Sequence, residues 1–568
     1  MNLPSLIFAE AAVKSSRAGY VSIFDSNAKI TAKNLKDFYA DPDKMIQAVA
    51  AFKAAGFSVL GVDRVSVSIA GSPDVFKSAF KATIIAVDNG TRSAGEPRFA
   101  LTSEESQRFG IIEVNGSEFE KLVAGIALEQ PAQSNCGDEP PPPPKENWSL
   151  TPKQIPSKLR SDSLKDDFKG WLPFSPKREQ GENIKVAIVD TGRFNHPYFK
   201  KEFFDRGSLN IEPIIPSALA AALFNDLDST SKQLDELEKQ LKSADLPKEE
   251  QEKLSEQQRD ELSGELDSLR DRIAHAKKGI AGQKSWLAPD ADDSGHGTAM
   301  FANVLPVAPK AAITMIKADI TNVNRVGPKQ HAISEALEMK PHVISCSWGT
   351  PIGKLSPGPI LNKYLFSFLI AIIKYKAIIL FAAGNKNDKD PEGKDTETQW
   401  PEVISVGGAY WDFDLELSAS SVGHGYKSKS GRVVPDVCGL CGPSAAPYLI
   451  LPTQPGSEAD KNVAQKPGDW STKWPGWIAS SGGTSSATAQ VAGVCALIKQ
   501  AYPSANTETV RTILKKTATA VTKGKTAQGN SLSDLGAGLV HLEKALDLAR
   551  NMQIALIKNA EKDNKFKK

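Results

Sequence analysis

Gly482-Gly483-Thr484-Ser485-Ser486-Ala487-Thr488-Ala489-Gln490-Val491-Ala492-Gly493 is the stretch that decides the fold. Two glycines open it, where a chain can turn without a Cβ to clash. Small residues follow, suited to a closely packed helix. Ser485 then stands at the helix start, among backbone N–H groups that lack helical partners and at the positive end of the aligned peptide dipoles. Serine is a favoured residue at helix starts simply as a cap. The same place suits a hydroxyl that must develop negative charge, provided a base and an acid stand elsewhere in the chain.

Two upstream stretches supply them. Ile184-Lys185-Val186-Ala187-Ile188-Val189-Asp190-Thr191-Gly192 reads as a buried parallel strand with Asp190 at its C-terminal end. Asp293-Ser294-Gly295-His296-Gly297-Thr298-Ala299-Met300 is a glycine-flanked histidine leading into a helix. A nucleophilic serine needs a general base, and the base needs a carboxylate to fix its tautomer. Asp190, His296 and Ser485 provide those three parts, in the chain order also found in subtilisin. A fourth stretch, Ala382-Ala383-Gly384-Asn385, follows the apolar run Ala377-Ile378-Ile379-Leu380-Phe381.

With these four stretches in hand, the chain resembles the subtilisin-like serine proteases (subtilases, peptidase family S8). The resemblance implies an α/β fold with a mostly parallel sheet and helices on both faces. It implies a serine endopeptidase acting on protein or peptide substrates, with Asp190, His296 and Ser485 as the triad. It also implies Asn385 as the side-chain donor of an oxyanion hole shared with the Ser485 N–H. Val343-Ile344-Ser345-Cys346-Ser347-Trp348-Gly349 is similar to the subtilase strand that pairs with substrate backbone, which implies Ser347, Trp348 and Gly349 as one wall of the cleft. Trp348 stands where the family usually has a smaller aliphatic residue. Its ring either shapes an unusual pocket or lies in the core.

Size and composition bound the rest. At 568 residues the chain should form two or more domains. A hydrophobic content of 40% and a charged content of 24% fit an ordinary globular protein. The net charge of +2, from 69 basic and 67 acidic residues, gives no reason to expect a nucleic-acid or membrane partner. No apolar run reaches the roughly 18 residues of a spanning helix. Met1 to Glu10 lacks a basic region ahead of its apolar residues, so no secretory signal is expected and the predicted location is cytoplasmic. Five scattered cysteines fit a reducing compartment. Cys438-Gly439-Leu440-Cys441 lacks the second pair that a structural zinc site wants; it reads as two loop thiols or a redox pair. No dense Asp/Asn calcium loop is present, and no cofactor or metal is predicted.

Residues 1–128 read as a first α+β unit. Asp43 to Ala55 has a helical pattern with Met45, Val49 and Phe52 on one face, and Ser72-Pro73 opens a second helix. Strands are expected near Tyr20–Ile23, Phe57–Leu60, Val65–Ile69 and Thr83–Val87. The resulting βαββαβ order is the split, ferredoxin-like arrangement, and the unit resembles the inhibitory pro-domain of subtilases and sedolisins. Residues 129–149 form a Pro-rich linker whose five prolines, Pro140 to Pro144, suggest a stiff extended spacer. Residues 150–550 form the catalytic domain. An insertion at 222–282 carries Leu227, Leu234, Leu237 and Leu241, then Leu254, Leu262, Leu266, Leu269 and Ile273, with Asp245-Leu246-Pro247 as a break. This predicts a coiled-coil-like helical hairpin, serving as an ornament or as a docking arm for a regulatory protein partner. Residues 551–568 read as a polar tail that frays. The expected product is a self-inhibited zymogen cut between about Leu128 and Lys158. The alternatives are a catalytically idle partner-binding module and a dedicated protease with one protein substrate.

Overall fold

The structure, a computed structural model, describes residues 6–17, 19–25, 28–88, 97–101, 110–130, 133–134, 150–160, 179–202, 291–318, 329–350, 359–385, 397–412, 416–420, 426–427, 431–443, 448–464, 476–524 and 535–566. The expected helical hairpin at 222–282 and the five-proline run lie outside the described residues.

The N-terminal unit is built on an antiparallel sheet. Its strands are β1 (Ile7–Val13), β2 (Ser58–Val62), β3 (Ser66–Gly71) and, after a separate hairpin of β4 (Ile84–Asp88) with β5 (Pro97–Leu101), β6 (Ile111–Ile112) and β7 (Val123–Leu128). They lie in the order β2-β3-β1-β7-β6. Two expectations are corrected. The first strand is Ile7–Val13, and residues 20–23 form no strand. All seven residues of β1 are buried, and a strand covered on both faces loses its alternation, here with apolar residues at every position but Glu10. The fourth strand of the sheet is Val123–Leu128, which takes the free edge of β1, while Ile84–Asp88 pairs only with its own hairpin partner. The helices Pro42–Ala54 and Pro73–Phe80 cover one face through Met45, Phe52, Phe76 and Phe80. Each begins with a side-chain cap, Asp41 and Ser72, followed by proline.

The second sheet is mostly parallel, as expected. Its strands are β9 (Lys185–Asp190), β10 (Ala312–Lys317), β11 (Val343–Cys346), β13 (Ile378–Ala382), β14 (Ile404–Trp411), β15 (Leu417–Ala419) and β18 (Val437–Leu440). The short strands β8 (Gln133–Ser134) and β12 (Trp348–Gly349) pair with each other, as do β16 (Tyr426–Lys427) and β17 (Val433–Val434). The main order is β10-β9-β11-β13-β14-β15, with β18 beside β14, and only β15 runs antiparallel to its neighbour. Successive residues of β9 face opposite sides. Val186 and Ile188 pack with the helices His296–Val304 and Gly483–Ala501, whereas Ala187 and Val189 pack with Lys329–Glu338 and Ile360–Tyr375.

The N-terminal unit is seated on that second pair of helices. Ala12, Phe24, Phe38 and Val65 share one core cluster with Ala332, Tyr364 and Phe366. Polar ties reinforce it. The buried Lys363 pairs with Asp63, the Asn362 amide donates to the Ile23 carbonyl at 3.0 Å, and Glu129 accepts the Gln330 N–H at 3.0 Å together with the Tyr364 hydroxyl. Glu129 and Gln130 are buried, so the first residues of the supposed linker are anchored. Two further corrections concern the catalytic unit. The helix Leu542–Phe566 continues through most of the segment expected to fray, because its Ala-, Leu-, Lys- and Glu-rich sequence favours helix even where exposed. Cys438 lies in β18, and both it and Cys441 are buried. Burial pushes the Cys441 thiol up to about 12 and the Cys438 thiol higher, which removes the thiolate that a redox pair needs.

Glu10, in the middle of β1, accepts from the Ser66 hydroxyl at 2.6 Å and from Ser68. Burial outweighs both donors and raises its pKa from 4.5 to about 7. A raised carboxyl pKa stabilises the fold fully below the unfolded value, and that stability is lost as pH rises through the folded value. Glu10→Gln should therefore gain stability over wild type between pH 4.5 and about 7, by an amount on the order of 3 kcal/mol. Chemical denaturation of both proteins across that range checks it; a constant difference would contradict it.

Candidate active site

Asp190 is the last residue of β9. Its Oδ1 accepts the Thr191 N–H at 2.8 Å and faces His296 Nδ1 at 2.7 Å. His296 is the first residue of its helix, held there by Gly295 at φ +84°. The two loops meet at their glycines. A Cβ on Gly297 would stand 2.1 Å from the Gly192 carbonyl oxygen, so only glycine allows this approach.

Ser485 is the third residue of the helix Gly483–Ala501, which Gly482 opens at φ +87°. Its hydroxyl donates to the Ser347 carbonyl at 2.9 Å, and the Ser347 hydroxyl donates back to the Ser485 carbonyl at 3.0 Å. This reciprocal pair ties the serine helix to the segment between β11 and β12. The helices bearing His296 and Ser485 pack together through a buried polar ladder. Asn303 donates to Ser486 at 3.3 Å, Gln490 donates to Asn303 at 3.0 Å, and the Leu440 N–H donates to Gln490 at 2.8 Å. Asp190, His296 and Ser485 are 3%, 4% and 1% exposed.

Asn385 follows β13. Its Oδ1 accepts both the N–H and the hydroxyl of Thr484, at 2.7 and 2.8 Å, and the Gly384 N–H donates to that hydroxyl at 3.2 Å. The oxygen end of the amide is thereby fixed on the residue before Ser485, and its nitrogen end points away from Thr484. Ser347, Trp348 and Gly349 are brought to the same edge. There Gln133–Ser134 pairs antiparallel with Trp348–Gly349, Trp348 opposite Ser134 and Gly349 opposite Gln133. The Trp348 side chain belongs to the core. It is 4% exposed, its Nε1 donates to the Val189 carbonyl at 2.8 Å, and it meets Tyr364 and Phe381 edge-on. Of the two placements expected for the ring, the core is the one observed.

Sequence reasoning missed several of these groups. Asp292, wholly buried, accepts from Thr191, Gly295 and Thr298, the residues that flank Asp190 and His296. Burial is the largest influence and leaves its pKa raised, although those donors and Lys317 pull the other way. Thr484, Asn303 and Gln490 also passed unnoticed, although each stands in or beside a stretch already singled out. Among the described residues, no group of three or more His, Cys, Asp or Glu side chains is placed to hold a metal ion, and no helix is long and apolar enough to cross a membrane.

The profile of the subtilase family matches residues 181–538. Among curated proteins, a calcium-dependent protease of Nostoc sp. is 28% identical over an alignment 269 positions long that covers 43% of this chain and 37% of that protein. A calcium-dependent protease of Trichormus variabilis gives the same figures of 28%, 43% and 37%. The chain thus spans just over a third of the length of these curated relatives. Among solved structures, fervidolysin from Fervidobacterium pennivorans, a keratinolytic enzyme related to subtilisin, has 16% identity and a TM-score of 0.46, covering 95% of this chain and 61% of its own. A lanthipeptide protease has 18% identity and a TM-score of 0.39, covering 65% of this chain and 89% of its own.

The Trp348 indole can be tested directly. Trp348→Phe leaves the buried Val189 carbonyl without its donor and should lower the unfolding free energy by about 1–3 kcal/mol. A pocket-lining ring would instead change substrate preference at unchanged stability, and a denaturation curve beside a peptide-library profile separates the two.

Proposed function

Because the chain belongs to the subtilase family, we propose that it is a serine endopeptidase working by acyl transfer. The observation that carries this is the 2.7 Å contact between Asp190 and His296 at the edge where Ser485, Ser347 and Asn385 also gather. A hydroxyl rotates freely, and turning that of Ser485 from the Ser347 carbonyl toward His296 begins the reaction. His296 takes the proton as Ser485 attacks the peptide carbonyl, then returns it to the leaving amine. Asp190 holds the tautomer and stabilises the imidazolium. The Asn385 amide nitrogen and the Ser485 N–H receive the oxyanion, a role for which Thr484 fixes the amide. In subtilisin, from which this magnitude comes, one such donor is worth about 2.7–4 kcal/mol.

The reading extends to residues 1–128 as an inhibitory pro-domain of ferredoxin-like form, with 129–149 as the linker that is cut and 150–550 as the catalytic domain. Supporting it are the antiparallel order β2-β3-β1-β7, the anchored Glu129 and Gln130, and above all the strand Gln133–Ser134 lying along Trp348–Gly349. A substrate joining the cleft by strand addition would pair with the same backbone. The described pairing ends at Ser134, beside Trp348, and the Ser347 carbonyl next to it in the chain holds the Ser485 hydroxyl. The bond expected to be cut lies in the linker, between about Leu128 and Lys158.

N-terminal sequencing and mass spectrometry after incubation test both parts. Wild type should yield a new terminus between about Leu128 and Lys158 and Ser485→Ala should stay whole; a cut in both variants would assign the cleavage to another enzyme. A labelled fluorophosphonate should modify Ser485 once the linker is cut, and no labelling would refute the acyl-transfer mechanism. Ser485→Ala or His296→Ala should lower kcat by about 10⁶-fold, the size of the loss in subtilisin.

A further inference from the structure

Asp292 is a second buried carboxylate behind the acid–base pair, and no step of the reaction uses it. Its oxygens only accept. Oδ1 takes the Thr191 hydroxyl at 2.7 Å and the Gly295 N–H at 2.9 Å; Oδ2 takes the Thr298 N–H at 2.7 Å and its hydroxyl at 2.6 Å. Both hydroxyls are themselves oriented by backbone. The Thr191 oxygen accepts the Gly297 N–H at 2.8 Å, and the Thr298 oxygen accepts the Phe194 N–H at 2.9 Å. Four donors converging on two oxygens favour the carboxylate, against the burial that raises its pKa.

Each donor flanks a member of the pair. Thr191 follows Asp190, while Gly295 and Thr298 bracket His296 and Gly297. Asp292 is itself fixed, because its N–H donates to Gln454 at 2.7 Å. The buried Lys317 donates to the neighbouring Ala291 carbonyl at 2.6 Å and places a cation beside it. The groups that set the local charge are thus Asp190, His296, Asp292 and Lys317, with Asp293 next in the chain and tied to Gln454 at 3.2 Å.

We propose that Asp292 is a positioning residue: an ionised carboxylate that clamps the loop of Asp190 to the loop of His296 and so fixes the imidazole in its working place. The inference rests on the proteolytic reading of this site and adds a residue to it. Asp292→Asn keeps the shape but offers one acceptor oxygen where four donors meet. Reacting groups displaced by about an ångström can cost on the order of 10² in rate. Asp292→Asn should therefore lower kcat by about 10²-fold with KM nearly unchanged. Loss of a negative charge near the imidazolium also makes that ion less stable, so the acid limb of the kcat/KM profile should move to lower pH.

The test measures kcat, KM and the acid limb on wild type, Asp292→Asn, Thr298→Val and Thr298→Ser. Thr298→Ser should keep the wild-type rate and Thr298→Val should lose about tenfold, roughly the effect of one lost hydrogen bond to a charged group. An unchanged kcat and acid limb in folded Asp292→Asn would overturn the proposal. If that variant does not fold, equal rates for Thr298→Val and Thr298→Ser would overturn it instead. If wild type neither cleaves peptides nor takes up a fluorophosphonate, the proteolytic reading has failed on its own. Amide exchange at Gly297 then still decides the clamp: faster exchange in Thr298→Val than in Thr298→Ser supports it, and identical exchange refutes it.

Discussion

The backbones at Gly192 and Gly297 come so close that not even a methyl group fits between them. This constraint underlies the whole site. One backbone follows the strand Lys185–Asp190 and the other opens the helix His296–Val304. Only when they touch does an acid on a strand end reach a base on a helix start at 2.7 Å. The parallel sheet makes the meeting possible, since its neighbouring strands all release their chains at one edge. The contact itself is backbone against backbone, and the buried Asp292 carboxylate is bonded to residues on both sides of it.

The parts legible in the sequence were those where local chemistry and long-range geometry ask for the same residue. Gly-His-Gly, the acid closing an apolar run, and Gly-Thr-Ser before small residues each announce themselves, and the structure gathers their neighbourhoods at one edge. The parts that were not legible depend on partners distant in the chain. Ile7–Val13 shows no alternation because helices cover one face and the larger unit covers the other. Val123–Leu128 joins β1 across more than a hundred residues, and nothing in its own sequence prefers that edge to any other. Trp348 could line a pocket or fill the core until Val189, Tyr364 and Phe381 were seen around it.

The junction between the two units carries several buried polar and ionisable groups. Lys363 with Asp63, Glu129 with Tyr364 and the Gln330 N–H, and Glu10 with Ser66 and Ser68 all lie at or near the contact. Such groups add little net stability while intact, because desolvation offsets their attraction. They are costly when one partner leaves. The junction is therefore selective: the two surfaces fit each other, and a poorly matched apolar surface would leave charges stranded.

The spacing between Gln130 and Gln133 has a kinetic meaning. Gln130 is buried against the catalytic unit and Gln133 lies in strand register with Gly349, with two residues between them. So short a tether spans at most about 3.5 Å per residue, which keeps Gln133–Ser134 beside the Trp348–Gly349 strand of its own molecule. The processing proposed above would then be unimolecular, with a half-time that dilution leaves unaltered. A neighbouring copy could take over only after the junction itself had come apart.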